Sequence, residues 1–301
     1  MFVDTHCHLD AAEFGDSQAA LVQAAQSAGV GRIVVPSVER ANFAAVHQLC
    51  ERFTGCAPAY GIHPMYVDGA QPEDLDALRG YLAQPATVAV GEIGLDFFIE
   101  PHDRVRQEHF FTEQLKLARE FDLPVLLHIR RAQDAILKLL RRNKVRGGIA
   151  HAFSGSRQQA EEFIRLGFKL GFGGAMTHSR ATRLRELAAT LPLECIVLET
   201  DAPDIPPAFL RSPLLNPLPQ TPSPQSSPAS GRGSEREKQL LIPAGEEANE
   251  LLRNAMIIEP NKPEYLPRIA QTLVELRGMP LEEIARITTE NAMAVLPRLR
   301  P

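Results

Sequence analysis

The chain has 301 residues, which is enough for one large α/β barrel or for two domains of ordinary size. Its content of 44% hydrophobic and 23% charged residues excludes a disordered or fibrous protein. The formal net charge of −5 gives no general attraction to nucleic acid, so a phosphate-bearing substrate would need a local binding site or metal ions.

The first predicted strand leads into two histidines that are separated by one residue. Residues 2–6 form a short apolar run that ends at His6, and His8 follows. Successive side chains of a strand point to opposite faces, so the two imidazoles are predicted to share a face while Cys7 points the other way. Because neutral imidazole is the commonest metal ligand in proteins, the pair predicts a metal site.

Eight short apolar runs recur along the chain and predict strands. They cover residues 2–6, 32–36, 57–62, 87–92, 125–129, 148–152, 168–172 and 195–199. Helical periodicity fills the intervals, as in residues 107–121 and 132–140, and returns at residues 263–277 and 281–296. This alternation favours an α/β fold, a TIM (β/α)8 barrel. The alternative, an open doubly wound sheet, normally carries a Gly-rich phosphate loop, and this sequence has none after its early strands.

The composition changes after the eighth run. Residues 203–232 are rich in Pro, Ser, Gln and Gly, a composition that cannot bury enough apolar surface to become ordered. We expect a long exposed insertion here, followed by a marginal helix from residue 246 onward.

Ionisable side chains mark the ends of most predicted strands, where a βα barrel gathers its functional groups. They are His6, His8, His63, Glu92, His128, His151 and Asp201. Each of them alone could be a hydrogen-bonded core residue, but burying an unpaired ionisable group costs several kcal/mol. A shared metal centre explains all of them together.

The number of candidate ligands exceeds what one tetrahedral ion needs. Four of the imidazoles, those of His6, His8, His128 and His151, and the two carboxylates suit two divalent ions about 3.5–4 Å apart with a bridging carboxylate between them. Glu92 lies centrally among the strands and is the predicted bridge. Asp201 comes near His6 and His8 if strand eight closes onto strand one, so we expect it to ligate one ion and to act as the general base.

Several motifs resemble one known family. They are DTHCHLD at residues 4–10, GIHP at 61–64, GEIGLD at 91–96, LH at 127–128, HAFSG at 151–155 and ETDAP at 199–203. In order and spacing they resemble the TatD-like metal-dependent deoxyribonucleases of the amidohydrolase superfamily. NKPEY at residues 261–265 and TTENA at 288–292 look like the C-terminal end of that family, so the resemblance covers nearly the whole chain.

The resemblance implies a TIM-barrel hydrolase that uses two divalent cations to cleave phosphodiester bonds in DNA, often as an exonuclease on single strands, with 3′–5′ polarity as one form. Histidine and carboxylate ligands accept Mg, Mn or Zn, so the sequence leaves the metal open among them. The family's ligand positions correspond to His6, His8, Glu92, His128, His151 and Asp201. The catalytic residues are then Asp201, Glu92 and His63, where His63 would hold the scissile phosphate or protonate the leaving oxygen. The alternative for His63 is a ring that only caps the loop before Pro64.

Two further residues are weaker candidates. Asp96 could orient a ligand histidine, and Arg130 could pair with phosphate. The alternative for both is a solvated loop position.

The sequence departs from the family in one place. Its relatives pass quickly from the Asp-Ala-Pro turn to the Asn-x-Pro-Glu segment, whereas residues 210–259 intervene here. We therefore expect one domain, residues 1–301, with a disordered insertion at about 210–259. A tolerated loop is favoured over a lid or a partner-binding segment, because closure entropy grows only slowly with loop length.

Two other functions stay open at this point. A binuclear hydrolase of a small-molecule ester or amide could use the same metals, although such relatives commonly carry a modified lysine where Glu92 stands. A non-catalytic metal-binding interaction protein is less favoured, because it does not explain why Asp201 accompanies the ligands.

Cysteine usage and the N-terminal segment predict the compartment. Cys7, Cys50, Cys56 and Cys195 form no Cys-x-x-Cys pair and are expected to be reduced. No signal peptide or bilayer-length apolar run is evident, so we expect a cytoplasmic protein with DNA as its substrate, no membrane contact and no obligatory protein partner.

Overall fold

Eight parallel strands lie close to the positions that the apolar runs predict. The computed structural model describes residues 1–210 and 260–299. The strands are β1 (Phe2–Asp4), β2 (Val30–Pro36), β3 (Cys56–Tyr60), β4 (Ala89–Asp96), β5 (Val125–Arg130), β6 (Gly148–Ala150), β7 (Phe168–Phe172) and β8 (Ile196–Leu198). Each strand pairs with the next in sequence, in the order β1 to β8.

Helices separate the strands and cover the sheet. They are α1 (Gln18–Ser27), α2 (Phe43–Arg52), α3 (Pro72–Leu82), α4 (Arg104–Glu120), α5 (Gln133–Arg142), α6 (Arg157–Arg165), α7 (Thr182–Thr190), α8 (Leu266–Arg277) and α9 (Leu281–Val295). Local signals set their ends: Asp103 caps α4 by accepting the N–H of Arg106, and Gly278 ends α8 at a φ of 63°. The four helices predicted from periodicity are present with bounds shifted by a few residues, most at α4 and at α8, where a 3-10 turn (Pro263–Tyr265) comes first.

Hydrogen bonds between the first and last strands bring the sheet close to a closed barrel. The N–H of Thr5 donates to the carbonyl of Leu198 at 3.1 Å. Asp4 accepts the N–H of Thr200 at 2.9 Å and its hydroxyl at 2.5 Å. These contacts hold the two edge strands of the sheet beside each other, and the predicted TIM barrel is confirmed.

Small and β-branched side chains fill one part of the barrel. Val3, Val34, Ala57, Ala59, Leu126, Ile149 and Val197 pack there with Ala292, Val295 and Leu296 of the C-terminal segment. Asn291 adds two hydrogen bonds at 2.8 Å to the carbonyls of Leu193 and Ile196, which fixes α9 against the start of β8. Helix α9 therefore anchors the strand that leads to Asp201.

The predicted insertion lies almost wholly outside the described residues. Contacts divide the chain into two units, Met1–Ala208 with Pro260–Pro301, and Phe209–Glu259. The disordered insertion at about 210–259 and the helix from residue 246 therefore stay predictions, as does the single-domain organisation. Within the described residues, we find no helix with the length and apolar character that crossing a membrane requires.

Candidate metal centre

The predicted site residues meet at the carboxyl ends of the strands. His6 and His8 follow β1, His63 follows β3, His151 follows β6 and Asp201 follows β8. Glu92 lies inside β4, because this strand continues to Asp96 beyond the predicted end at residue 92. His128 lies inside β5. All seven side chains are at most 18% exposed.

The first two histidines lie just beyond β1, which ends at Asp4 before a bend at Thr5. The N–H of Thr5 bonds to β8 and the N–H of Cys7 bonds to Val34 of β2. The segment is thus held between β8 and β2, and Cys7 is fully buried. The two imidazoles meet with their Nε2 atoms 3.3 Å apart, as the spacing predicts.

Glu92 contacts two separate groups of imidazoles. Its Oε2 lies 3.2 Å from Nε2 of His6 and 3.6 Å from Nε2 of His8. Its Oε1 lies 3.0 Å from Nδ1 of His128 and 3.8 Å from Nε2 of His63. The carboxylate therefore presents one oxygen to each group.

Asp201, which follows β8, faces His6 and His8, which follow β1. Its Oδ1 lies 3.7 Å from the Nε2 atoms of His6 and His8, and its Oδ2 lies 3.5 Å from Nε2 of His151. The residue has a φ of 58°, a conformation that Asp and Asn adopt more readily than most other residues. Its N–H donates to the carbonyl of His6 at 2.8 Å, so the backbone ties the two sides together.

The donor set fits divalent cations. Three groups hold ligand atoms within 4.8 Å of one another: His6 with Glu92 and His151, His6 with His8 and Asp201, and His63 with Glu92 and His128. Imidazole nitrogens and carboxylate oxygens suit Zn and Mn, and carboxylates also suit Mg. Such a concentration of buried nitrogen and oxygen donors is the arrangement that a cation centre requires.

The electrostatics keep both carboxylates charged. Burial opposes the charge of Glu92, but His6, His63 and His128 outweigh it and hold the pKa of Glu92 well below its ordinary value. Burial likewise opposes the charge of Asp201, whose pKa is lowered mainly by His151. Metal ligands must be deprotonated, so these low pKa values prepare both groups for a cation.

His63 uses its two ring nitrogens differently. Its Nδ1 accepts the N–H of Met65 at 3.2 Å, which caps the turn after β3, while its Nε2 faces Glu92. Burial, together with the neighbouring His128, lowers the pKa of His63 to about 3. The ring is therefore neutral near pH 7, with its proton on Nε2 toward the centre. His63 can therefore cap the loop through Nδ1 and also lie at the metal centre through Nε2.

Asp96 lies where a residue that orients His128 is expected. Its Oδ2 is 3.0 Å from Nε2 of His128, whose other nitrogen contacts Glu92. Its Oδ1 accepts the N–H groups of Phe98 and Ile99 at 2.8 and 3.3 Å. Asp96 thus links His128 to the loop after β4.

Two buried acids support the centre although the strand pattern did not predict them as site residues. Oε2 of Glu199 lies 3.1 Å from Nδ1 of His151, and its Oε1 accepts the N–H of Ala152 at 2.7 Å. Asp4 accepts the N–H of His6 at 3.3 Å. The available signal was an acid at the end of an apolar run, the same signal that identified Glu92.

A cavity of about 910 Å³ opens onto the centre. Asp10, Glu13 and Asp204 line it together with Arg130 and Tyr66. Arg130 lies two residues beyond His128 on β5, whereas the charge of Asp10 acts on His8. A substrate therefore meets walls of opposite charge.

Comparison with known proteins gives a consistent result. Residues 3–297 match the family described as TatD related DNase. The chain is 40% identical over 294 residues to the uncharacterized metal-dependent hydrolase YjjV of Escherichia coli (strain K12), covering 96% of this chain and 95% of that protein. It is 33% identical over 214 residues to the 3′-5′ ssDNA/RNA exonuclease TatD of Klebsiella pneumoniae (strain 342), covering 69% and 80%.

The solved structures agree with the sequence comparison. The crystal structure of YjjV from Escherichia coli K12 superposes with a TM-score of 0.80 at 37% identity and covers 98% of each chain. The eight-stranded architecture described above is therefore shared with a solved homologue.

Proposed function

The chain belongs to the TatD related DNase family of metal-dependent hydrolases, and from this premise we propose that it hydrolyses phosphodiester bonds of single-stranded DNA, releasing nucleotides from the 3′ end. The relative named as a 3′-5′ ssDNA/RNA exonuclease supports this substrate. The observation that carries the proposal is Glu92, whose two oxygens lie 3.2 Å from His6 and 3.0 Å from His128. A carboxylate between two imidazole groups suits two-ion phosphoryl chemistry.

Two divalent cations would be held by His6, His8, Glu92, His128, His151 and Asp201. When bound, such ions activate water and neutralise charge on a phosphoryl oxygen. Glu92 would contribute to both sites, since each of its oxygens faces a different histidine group. Glu199 would fix the ring of His151, and Asp96 would fix that of His128, through contacts at 3.1 and 3.0 Å.

Asp201 and His63 would carry the proton chemistry. The low pKa of Asp201, set mainly by His151 against burial, keeps a charged carboxylate that can accept a proton from the attacking water. His63 would direct its Nε2 proton to a phosphate oxygen, because Met65 occupies its Nδ1. This chain needs no side-chain nucleophile for phosphoryl transfer, since positioning and charge neutralisation supply most of the rate.

Hydrolysis of a small-molecule ester or amide is the second candidate. The acids Asp10, Glu13 and Asp204 on the cavity wall favour it, since they repel a polyanionic strand. The two functions differ in whether DNA is cleaved by the metal-loaded protein.

The test is hydrolysis of a 5′-labelled single-stranded DNA by metal-reconstituted protein. We expect a ladder of products that disappears with a chelator, which removes the cations, and with Glu92→Ala, which removes the carboxylate that would contribute to both sites. Absence of cleavage by protein shown to contain two metal equivalents would contradict the nuclease and favour the small-molecule hydrolase.

His128→Ala is expected to remove one metal equivalent and most of the activity while the barrel stays folded. The imidazole contacts Glu92 and Asp96 and lines the cavity, so its loss widens the cavity and leaves the apolar core of the barrel in place. Metal analysis, the hydrolysis rate and thermal unfolding report the three effects. His109→Ala, on the exposed face of α4, is the matched control, and full activity of the His128 variant would contradict the two-ion site.

A further inference from the structure

Arg130 and Arg131 lie just after His128 in the chain, and both contact the ring of Phe98. The guanidinium carbon of Arg130 lies 3.9 Å from the ring centre of Phe98, and that of Arg131 lies 4.5 Å from it. The ring is 43% exposed, and both arginines are exposed. Cation–π contacts attract a guanidinium group to an aromatic ring, so Phe98 holds both side chains beside one another.

The backbone beneath this Arg130–Arg131 pair is tied to the metal centre. Asp96 pairs in register with Arg130, and the N–H of Phe97 donates to the carbonyl of Arg130 at 2.8 Å. Asp96 also contacts His128 and accepts the N–H of Phe98. The same carboxylate therefore fixes the position of a candidate metal ligand and of the ring that supports the pair.

The positive charge of the pair is uncompensated in the described part of the chain. Among residues 1–210 and 260–299, neither arginine forms an ion pair with a carboxylate. Other exposed arginines do, for example Arg79 with Glu120 and Arg141 with Glu162. Ordered guanidinium groups without a protein anion are suited to an external one.

The acidic wall of the cavity lies away from the pair. Asn42 donates to Asp10, and the charges of Asp10 and Asp201 act on His8. Arg130 instead lies two residues beyond His128 on β5. An anionic strand that reaches the centre is therefore attracted on the β5 side and repelled on the other side.

We propose that Arg130 and Arg131, held by Phe98, form a subsite for a second, non-scissile phosphate of the substrate. This proposal rests on the nuclease function proposed above. A planar guanidinium group can donate two parallel hydrogen bonds to two oxygens of one phosphate. Two such groups held against one ring present several donors, and their side chains lose little further conformational freedom when phosphate binds. The second phosphate is either the adjacent phosphodiester or a terminal phosphate monoester. In both cases the subsite selects a strand over a single small ester.

The experiment compares the wild type with Arg130→Gln/Arg131→Gln on three oligonucleotides. One is unmodified, one carries an uncharged methylphosphonate at the linkage next to the scissile one, and one carries a 3′-phosphate. We expect the methylphosphonate to lower kcat/KM of the wild type about tenfold and that of the variant less than about twofold. If a terminal phosphate is the ligand, the 3′-phosphate instead raises kcat/KM in the wild type alone.

Arg104→Gln is the matched control. Arg104 lies 3.9 Å from the ring centre of Phe97 and lines a separate pocket, so this change removes a charge and a cation–π contact elsewhere. We expect the control to retain the wild-type salt dependence. Losing one phosphate contact in the double variant should reduce the slope of log kcat/KM against log salt concentration by about 0.7.

Phe98→Leu separates an ordered pair from charge alone. It retains both arginines but removes the ring that restricts them, and we expect KM to rise with kcat unchanged. Equal responses of wild type and double variant to all three oligonucleotides would overturn the subsite and leave the nuclease intact. Absence of hydrolysis of the unmodified strand by the wild type would overturn both proposals.

Discussion

Asp201→Asn is expected to lower kcat by at least about 100-fold, the lower end of what general-base catalysis contributes. The amide cannot accept the proton of an attacking water, and it no longer supplies a negative charge beside His6, His8 and His151. Asparagine also tolerates the φ of 58° at this position and retains the N–H that donates to the carbonyl of His6. The loss is therefore chemical rather than a loss of fold.

The measurement is kcat on saturating single-stranded DNA, with bound metal and thermal unfolding recorded on the same samples. Asp204→Asn serves as the control, since Asp204 lines the same cavity but belongs to none of the metal-binding groups in the described residues. We expect it to retain activity within about tenfold. An Asp201 variant with wild-type kcat and full metal content would assign the proton transfer to another group.

The barrel and the central ligands could be predicted because both depend on local sequence patterns. An apolar strand of five residues accepts few ionisable groups, so Glu92 and His128 stand out within their strands from the amino-acid sequence alone. The barrel topology then places the ends of β1, β4, β5, β6 and β8 around one point. The strand ends were predicted less well. β1 ends at Asp4 rather than at residue 6, and β4 continues beyond residue 92 to Asp96 because its pairing with β5 extends to Arg130.

The supporting contacts depend on which strands are neighbours and could not be assigned from the sequence. Glu199 and His151 are 48 positions apart by number, yet their side chains lie 3.1 Å apart. Gly171 of β7 leaves the room for this contact, because a Cβ there would lie 2.2 Å from Oε2 of Glu199. Asn261 likewise reaches back to the carbonyls of Thr200 and Asp204 at 2.7 and 3.0 Å, which holds the loop of Asp201.

Glu92→Gln is expected to abolish measurable DNA hydrolysis and to reduce the bound metal from two equivalents to one or fewer. Glutamine has nearly the same shape, so the packing of β4 is preserved. However, only one of its two terminal atoms is an oxygen ligand, and the buried negative charge is lost. Because each Glu92 oxygen faces a different histidine group, a single substitution affects both candidate sites.

Glu199→Gln is the informative comparison for this prediction. Glu199 contacts His151 rather than the centre itself, so its loss is expected to weaken metal affinity about 10- to 100-fold. Excess metal should then restore the activity of the Glu199 variant but leave the Glu92 variant inactive. Thermal unfolding at increasing metal concentration checks the same distinction, because a cation that binds only the folded protein stabilises it in proportion to the logarithm of its concentration. Equal rescue of both variants would show that Glu92 supports the centre from outside rather than joining its two groups of ligands.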